Sequence, residues 1–257
     1  NEKKANCFFT ILQLCSMNLV IDAGNSLIKI SVFRENKELF HEQFEISQFM
    51  VRIKSIFKKF SSISNAIVSS VGTLDKKDIA VITLFCKVHQ VSYKTKTPFK
   101  NSYATPETLG VDRIALATAA FYQNPNGNTL IIDAGTCITY DMVNDYGEYL
   151  GGAISPGLAM RYKALHQQTS KLPLLSATEI IDFIGNSTNT SIHSGVVNGI
   201  STEINGVINQ YNERFKDLTV ILTGGDALFL SKRTKNTIFA NPKFLLEGLN
   251  YLLEYNK

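Results

Sequence analysis

The sequence has little of what a redox, zinc or membrane protein needs. Its four cysteines, Cys7, Cys15, Cys86 and Cys137, form no C-x-x-C pair and no metal-ligand spacing. That excludes a thiolate zinc site and a disulfide framework, and fits a reducing cytosol. The four histidines, His41, His89, His166 and His193, have no mutual metal spacing either and read as structural. No G-x-G-x-x-G lies between a strand and a helix, and no Walker lysine motif is present, so Rossmann and P-loop sites are excluded. Beyond residue 16 no segment reaches the roughly 18 apolar residues of a membrane span. A soluble, cytoplasmic protein without a membrane partner is expected. Charge of one sign is scarce too. The net +4 is spread out, and the basic clusters RIKSIFKKF (52–60) and SKRTK (231–235) read as solvated faces rather than a nucleic-acid footprint.

The first sixteen residues carry two lysines and an apolar stretch, as a short signal peptide would. They lack an A-x-A cleavage site, and LQLC is a poor lipoprotein box. The apolar run also passes directly into a strand, and Met17 stands just before it. Residues 1–16 are therefore expected to be an N-terminal extension outside the fold.

What the sequence does have is one phrase used twice. LVIDAGNSLIKI stands at 19–30 and LIIDAGTCITYD at 130–141. Each reads as a β-branched strand running into Asp-Ala-Gly, a polar residue, and a second strand. A separation of this size suits two related domains rather than a short tandem array. The remaining pattern agrees. Strands are predicted at about 18–23, 26–33 and 37–44, a helix in SQFMVRIKSIFKKF, a strand in NAIVSSV, a helix from Asp75 to about Lys87, and a strand in VHQVSY. A long polar loop, KTKTPFKNSYATPET, precedes a helix starting near Val111. The second half repeats the order: strands at about 129–133, 136–143 and 147–154, helices through 157–168, 188–214 and 242–255, and the strand LTVILT leading to Thr223-Gly224-Gly225. Three antiparallel strands, then helix and parallel strand, made twice, predict an α/β fold of duplicated ribonuclease-H-like (actin-like ATPase) domains, each a mixed sheet flanked by helices. The domains are expected at 17–128 and 129–257, with 1–16 as the extension.

The hairpins also suggest chemistry. A glycine two residues beyond a strand-end aspartate lets the backbone turn tightly with no side chain above it. Amide N–H groups and a hydroxyl or amide side chain can then face a phosphate. The aspartate supplies a hard oxygen for a metal ion or its water. One such hairpin alone would be an ordinary turn. Two copies, with Thr-Gly-Gly where a nucleoside can approach closely, suit a grip on a triphosphate.

These features resemble the acetate and sugar kinase, Hsp70 and actin superfamily. From Met17 to Lys257 the chain more closely resembles type III pantothenate kinases. The segments that carry this are IDAGNSLIK, PETLGVDRIALATAA, IIDAGTCITYD, YLGGAISPGLAMRYKAL, TSKLP, IGNSTNTSIHSGVVNG, TGGDA and LLEGLNYL, in the family's order. Ser26 stands where threonine is usual and keeps the hydroxyl. Cys137 stands where alanine is usual.

The resemblance implies ATP-dependent phosphorylation of pantothenate, the first step of coenzyme A biosynthesis, with Mg2+ and with K+ or NH4+. It implies that Asp22, Ala23, Gly24, Asn25, Ser26, Leu27, Ile28 and Lys29 form the first phosphate loop, with Asp22 near magnesium, and that Thr136 contacts ATP. Asp133 would be a ligand of the monovalent cation. Tyr103, Gly110, Val111, Asp112, Arg113 and Thr188 would hold pantothenate. Thr188 is placed by lining up IGNSTNTSIHSG with the family's Ile-Gly-x-x-Thr segment. Asp112 would accept the proton of the primary hydroxyl. Taken as a residue alone, an aspartate at a helix start followed by Arg113 can equally be a cap or an ion pair. Rival readings are a sugar or acetate kinase of the same superfamily, and a non-catalytic transcriptional helper of the Bvg accessory factor type.

Assembly is the last expectation. The helix at 188–214 carries Ile192, Val196, Val197, Ile200, Ile204, Val207 and Ile208. That stripe either covers its own sheet or, with 157–168, forms the interface of a twofold homodimer. The resemblance favours the dimer.

Overall fold

The computed structural model describes residues 16–257 apart from 25, 26, 71, 73 and 181. The extension, Cys7 and Cys15, and the loop residues Asn25 and Ser26 therefore lie outside the described residues, except for Ser16. The chain forms two compact units. The described part of the first runs to Pro98 and also takes Thr105–Ala119 and Leu245–Lys257. The second takes Phe99–Ala104 and Ala120–Phe244. Neither unit is a single stretch of chain.

The first unit is built on five strands: β1 (Met17–Ala23), β2 (Ile28–Arg34), β3 (Lys37–Phe44), β4 (Ile63–Ser70) and β5 (Lys87–Gln90). They lie in the order β3-β2-β1-β4-β5. β1 to β3 pair antiparallel, whereas β4 pairs parallel with β1 and β5 parallel with β4. β1 sits at the centre, so its two faces are both covered and its sequence, MNLVIDA, is almost continuously apolar. β3 is an edge strand and alternates charged and apolar residues, KELFHEQF. Helix α1 (Phe49–Lys59) buries Phe49, Ile53, Ile56 and Phe57, spaced along one helical face. That face joins the core of Leu19, Ile21, Ile28 and Ile30. Burying each of these four side chains contributes about 1.5–3 kcal/mol.

Helix α2 (Lys76–Thr83) starts where expected, at a capping box made by Asp75 and Asp78. It stops sooner than the helical pattern suggests. Lys87 has to be extended to pair with Asn65 of β4, so the chain turns through Leu84–Cys86 to reach that register. Helix α3 (Val111–Gln123) begins where predicted; its residues to Ala119 belong to the first unit.

The second unit repeats the plan. β6 (Lys100–Asn101), β7 (Thr129–Ala134), β8 (Cys137–Val143), β9 (Glu148–Pro156), β10 (Thr219–Thr223) and β11 (Phe239–Ala240) form one sheet, in the order β11-β10-β7-β8-β9-β6. Read from β9 to β11, this matches β3 to β5 of the first sheet in order and direction. The sixth strand, β6, is the addition. It lies in the long polar loop and pairs parallel with the start of β9. Helices α4 (Leu158–Gln167), α5 (Thr188–Arg214) and α6 (Ala227–Ser231) complete this unit.

Helix α5 opens with a capping box between Ser187 and Thr190. Its stripe is spent on its own sheet. Ile192, Val196, Val197, Ile200, Ile204 and Ile208 are buried with Leu130, Ile132, Tyr140 and Leu222, and Val207 packs alongside. The stripe therefore provides no argument for a dimer.

The last helix, α7 (Phe244–Tyr255), returns to the first unit from Leu245 onward. Asn18 of β1 donates to Asn250 at 2.7 Å and to Glu254 at 2.6 Å. Gly248 lies so close to α3 that a Cβ there would sit 2.0 Å from the Ala115 carbonyl oxygen. No described helix is long and apolar enough to cross a membrane. Each histidine is hydrogen-bonded: His41 to Ser31, His89 to Thr95, His166 to the Leu172 carbonyl, and His193 to Tyr162.

Candidate active site

The two Asp-Ala-Gly phrases form hairpins, but not identical ones. In the first, Asp22 pairs with Lys29 and Ala23 with Ile28, so residues 24–27 make the connection, closed by Gly24 N–H donating to the Leu27 carbonyl at 3.2 Å. In the second, Asp133 pairs with Thr139 and Ala134 with Ile138, leaving 135–137, closed by Gly135 N–H to the Cys137 carbonyl at 3.0 Å. The first loop is one residue longer. That extra residue brings Lys29 opposite Asp22, on the same sheet face.

In the first unit the carboxyls gather. Burial is the main influence on Asp22 and pushes its carboxyl up to about 6, with Lys29 opposing the rise and Asp112 adding to it. Asp112 lies in the first turn of α3 and accepts a hydrogen bond from the Arg113 N–H at 2.9 Å. Its carboxylate folds back over Gly110, where a Cβ would sit 2.4 Å from Oδ1. Glycine at 110 is thus what permits this conformation. Arg113 is buried. Asp22, Lys29, Gly110 and Asp112 thus all belong to one unit, where Lys29 and Asp112 both act on the Asp22 carboxyl.

In the second unit the loop Gly135–Thr136 is backed by two glycines. Gly157 precedes α4, and a Cβ there would sit 2.2 Å from the Thr136 carbonyl oxygen and 2.5 Å from that of Gly135. Gly224, at φ +94°, lies against Asp133, and a Cβ would come 2.4 Å from both Asp133 Oδ1 and the Ala134 carbonyl oxygen. Asp226 N–H donates to that same carbonyl at 3.0 Å. The Thr-Gly-Gly turn thus supports the strand-end aspartate, a role that the sequence pattern did not reveal. Thr136 itself is exposed. Cys137 is half-buried, with its Sγ 3.8 Å from the Met160 Sδ.

The remaining candidates of this unit are placed separately. Tyr103 is half-buried and packs against Tyr149 and Gly151. Thr188 is exposed and, with Leu165, Leu172, Ser191 and Ile192, lines a cavity of about 660 Å3 at the start of α5.

Can these residues hold the implied ions? Among the described residues no cluster of three or more His, Cys, Asp or Glu forms a ready metal cage. Mg2+ is commonly held by one or two carboxylates with substrate phosphates and waters. A carboxyl raised by burial beside a second carboxylate is the arrangement that a dication relieves. Asp133 stands half-buried near the end of β7, beside the Ala134 carbonyl that accepts from the Asp226 N–H.

Comparison with known proteins gives the family. The family model described as type III pantothenate kinase matches residues 18–210. The type III pantothenate kinase of Christiangramia forsetii is 50% identical over 241 residues, covering 94% of this chain and 99% of that protein. That of Flavobacterium johnsoniae is 48% identical, covering 93% and 98%. Among solved structures, one from Campylobacter jejuni described as a Baf family transcriptional activator superposes with a TM-score of 0.60 at 22% identity, covering 93% of this chain and 98% of that one. A glucokinase from an Antarctic psychrotroph does so at 0.52 and 12%, covering 93% and 99%. These two share the fold, two mixed sheets flanked by helices, consistent with the duplicated ribonuclease-H-like plan expected from the sequence. Two aspartate hairpins in duplicated sheets, with near full-length identity to named enzymes, lead to one assignment: the chain belongs to the type III pantothenate kinase family.

Proposed function

We propose that this chain transfers the terminal phosphoryl group of ATP to the primary hydroxyl of pantothenate, giving 4'-phosphopantothenate, the first step of coenzyme A biosynthesis. The observation that carries this is the 50% identity to the Christiangramia forsetii enzyme over 94% of the chain. Family membership makes it a phosphotransferase using ATP with a divalent metal.

The residue roles are part of the proposal. Phosphoryl transfer relies on positioning and charge neutralisation, with a base orienting the attacking hydroxyl. Asp112 takes that role: it receives the hydroxyl proton, and Gly110 and the Arg113 N–H hold its carboxylate in one conformation. The loop from Asp22 to Lys29, with Lys29 opposite the aspartate, is read as the first phosphate loop, and Thr136 as an ATP contact. Asp22 lies near Mg2+, which when bound would neutralise charge on the phosphate oxygens. Asp133 binds K+ or NH4+. Tyr103, Gly110 to Arg113 and Thr188 bind pantothenate.

A twofold homodimer is also proposed, resting on the family resemblance. The stripe of α5 is unavailable for it, so its surface is assigned to the outer side of α4 and the residues before α5, where Met160, Phe183 and Ile184 are exposed. A coupled assay with ATP and pantothenate, run beside a panel of sugars and acetate, tests the function. Turnover of a sugar but not pantothenate would replace this reading with the sugar-kinase one. No turnover of any acceptor would favour the transcriptional-helper reading.

A further inference from the structure

Tyr103 sits on a support more elaborate than a surface tyrosine needs. β6 carries it: Asn101 pairs with Tyr149 of β9, and Ser102 N–H donates to the Tyr149 carbonyl at 3.0 Å. The Asn101 side chain accepts from the Tyr103 N–H at 3.0 Å, which fixes the turn leaving the strand. Beneath the Tyr103 ring lies the ring of Tyr149, with centroids 6.2 Å apart. Tyr149 is fully buried, and its hydroxyl donates to Asp141 Oδ1 at 2.7 Å. Asp141 is a fully buried carboxylate whose other oxygen accepts from Thr139 at 2.8 Å. A carboxylate in that position holds the phenol in one orientation, because leaving it without its donor is costly.

From the other side the ring meets Gly151. This residue has φ +89°, and a Cβ would stand 3.0 Å from Tyr103 Cδ2 and 3.2 Å from Cε2. A side chain at 151 would therefore press the ring aside by a few tenths of an ångström. Gly151 satisfies two demands at once, a left-handed backbone and room for an aromatic face.

We infer that Gly151 and the Asp141–Tyr149 hydrogen bond are positioning elements that hold the Tyr103 ring for pantothenate, and so set affinity for that substrate rather than for ATP. The inference rests on the reading of Tyr103 as a pantothenate-binding residue. A ring held from below and from one side presents a fixed apolar face and hydroxyl, and a shift of a few tenths of an ångström to an ångström is felt in substrate positioning.

Steady-state kinetics of the full chain test it, with pantothenate varied at saturating ATP and the reverse, for Gly151→Ala, Tyr103→Ala and the double variant. Gly151→Ala is expected to raise the pantothenate KM by about 5- to 100-fold and to leave the ATP KM within about twofold. In the Tyr103→Ala background the same change should add less than about twofold, since its target is gone. Tyr149→Phe keeps the buried ring and loses only the hydroxyl. It should show the same split between the two substrates, and it stands in if Gly151→Ala does not fold. A full additional effect of Gly151→Ala in the Tyr103→Ala background would overturn the inference. So would equal rises in both KM values, or an unchanged pantothenate KM in a series where Tyr103→Ala raises it. If Tyr103→Ala itself leaves the pantothenate KM unchanged, the reading of Tyr103 fails and the inference goes with it.

Discussion

Asp22 and Asp112 lie near enough within one unit that the charge of Asp112 adds to the burial holding Asp22 at about 6. A pair of carboxylates kept in such a relation is under electrostatic tension that a cation would relieve.

That tension has a sign in stability. The folded-state value of Asp22, about 6, exceeds its ordinary 3.8, so the folded protein holds the Asp22 proton more tightly than the unfolded chain does. Without divalent metal, this group should lower stability as pH rises from about 4 to about 6, with the loss complete above 6. Asp22→Asn should remove that dependence and be more stable than the parent above pH 6, by on the order of 1–3 kcal/mol. Urea unfolding in EDTA between pH 4.5 and 8 measures it. Parallel pH profiles for the two proteins would refute the raised value.

Asp112→Asn separates the cap from the base. Asparagine retains an oxygen to accept from the Arg113 N–H, now at 2.9 Å, so the melting temperature should change little. It cannot take the hydroxyl proton, so kcat should fall by about 10²–10⁴, with ATP binding nearly unchanged. A rate within a few-fold of the parent would return Asp112 to the role of a cap.

Potassium should matter as well as magnesium. If Asp133 ligates a monovalent cation, replacing K+ by Na+ at constant ionic strength should largely abolish turnover. Equal rates in the two salts would withdraw that role from Asp133.

Gly157→Ala should act on the loop at Gly135–Thr136, proposed to contact ATP. A Cβ placed 2.2 Å from the Thr136 carbonyl oxygen forces backbone to move, at about 1–3 kcal/mol for overpacking. The melting temperature should drop, and the ATP KM should rise more than the pantothenate KM. A variant with parental stability would show that the loop yields freely.

Assembly is read by light scattering at assay concentration. A dimer is expected, weakened by charged substitution of the exposed Phe183. A fully active monomer would end the proposal.

Much of this protein was legible along the chain because its signals are local. Asp-Ala-Gly after a β-branched run reads locally as a strand and a tight turn, so both hairpins and the repeated strand pattern could be read along the chain. The helix starts at Asp75 and Ser187 follow from capping, which involves residues three apart. Other features depend on partners far away in sequence. The early end of α2 is decided by β4, whose Asn65 requires an extended Lys87. The two hairpins look alike in sequence, yet sheet register makes their loops differ by one residue and sets Lys29 opposite Asp22. The apolar stripe of α5 shows that something covers it, but only packing reveals that its own sheet does. The exchange of Thr105–Ala119 and Leu245–Lys257 into the first unit has no local mark either. Which residues turn, cap and carry charge is settled along the chain, because those choices are made within a few residues. The tertiary structure alone decided which carboxylate faces which, and why Gly110, Gly151, Gly157 and Gly224 have no side chain, because those answers lie in atoms that only folding brings near.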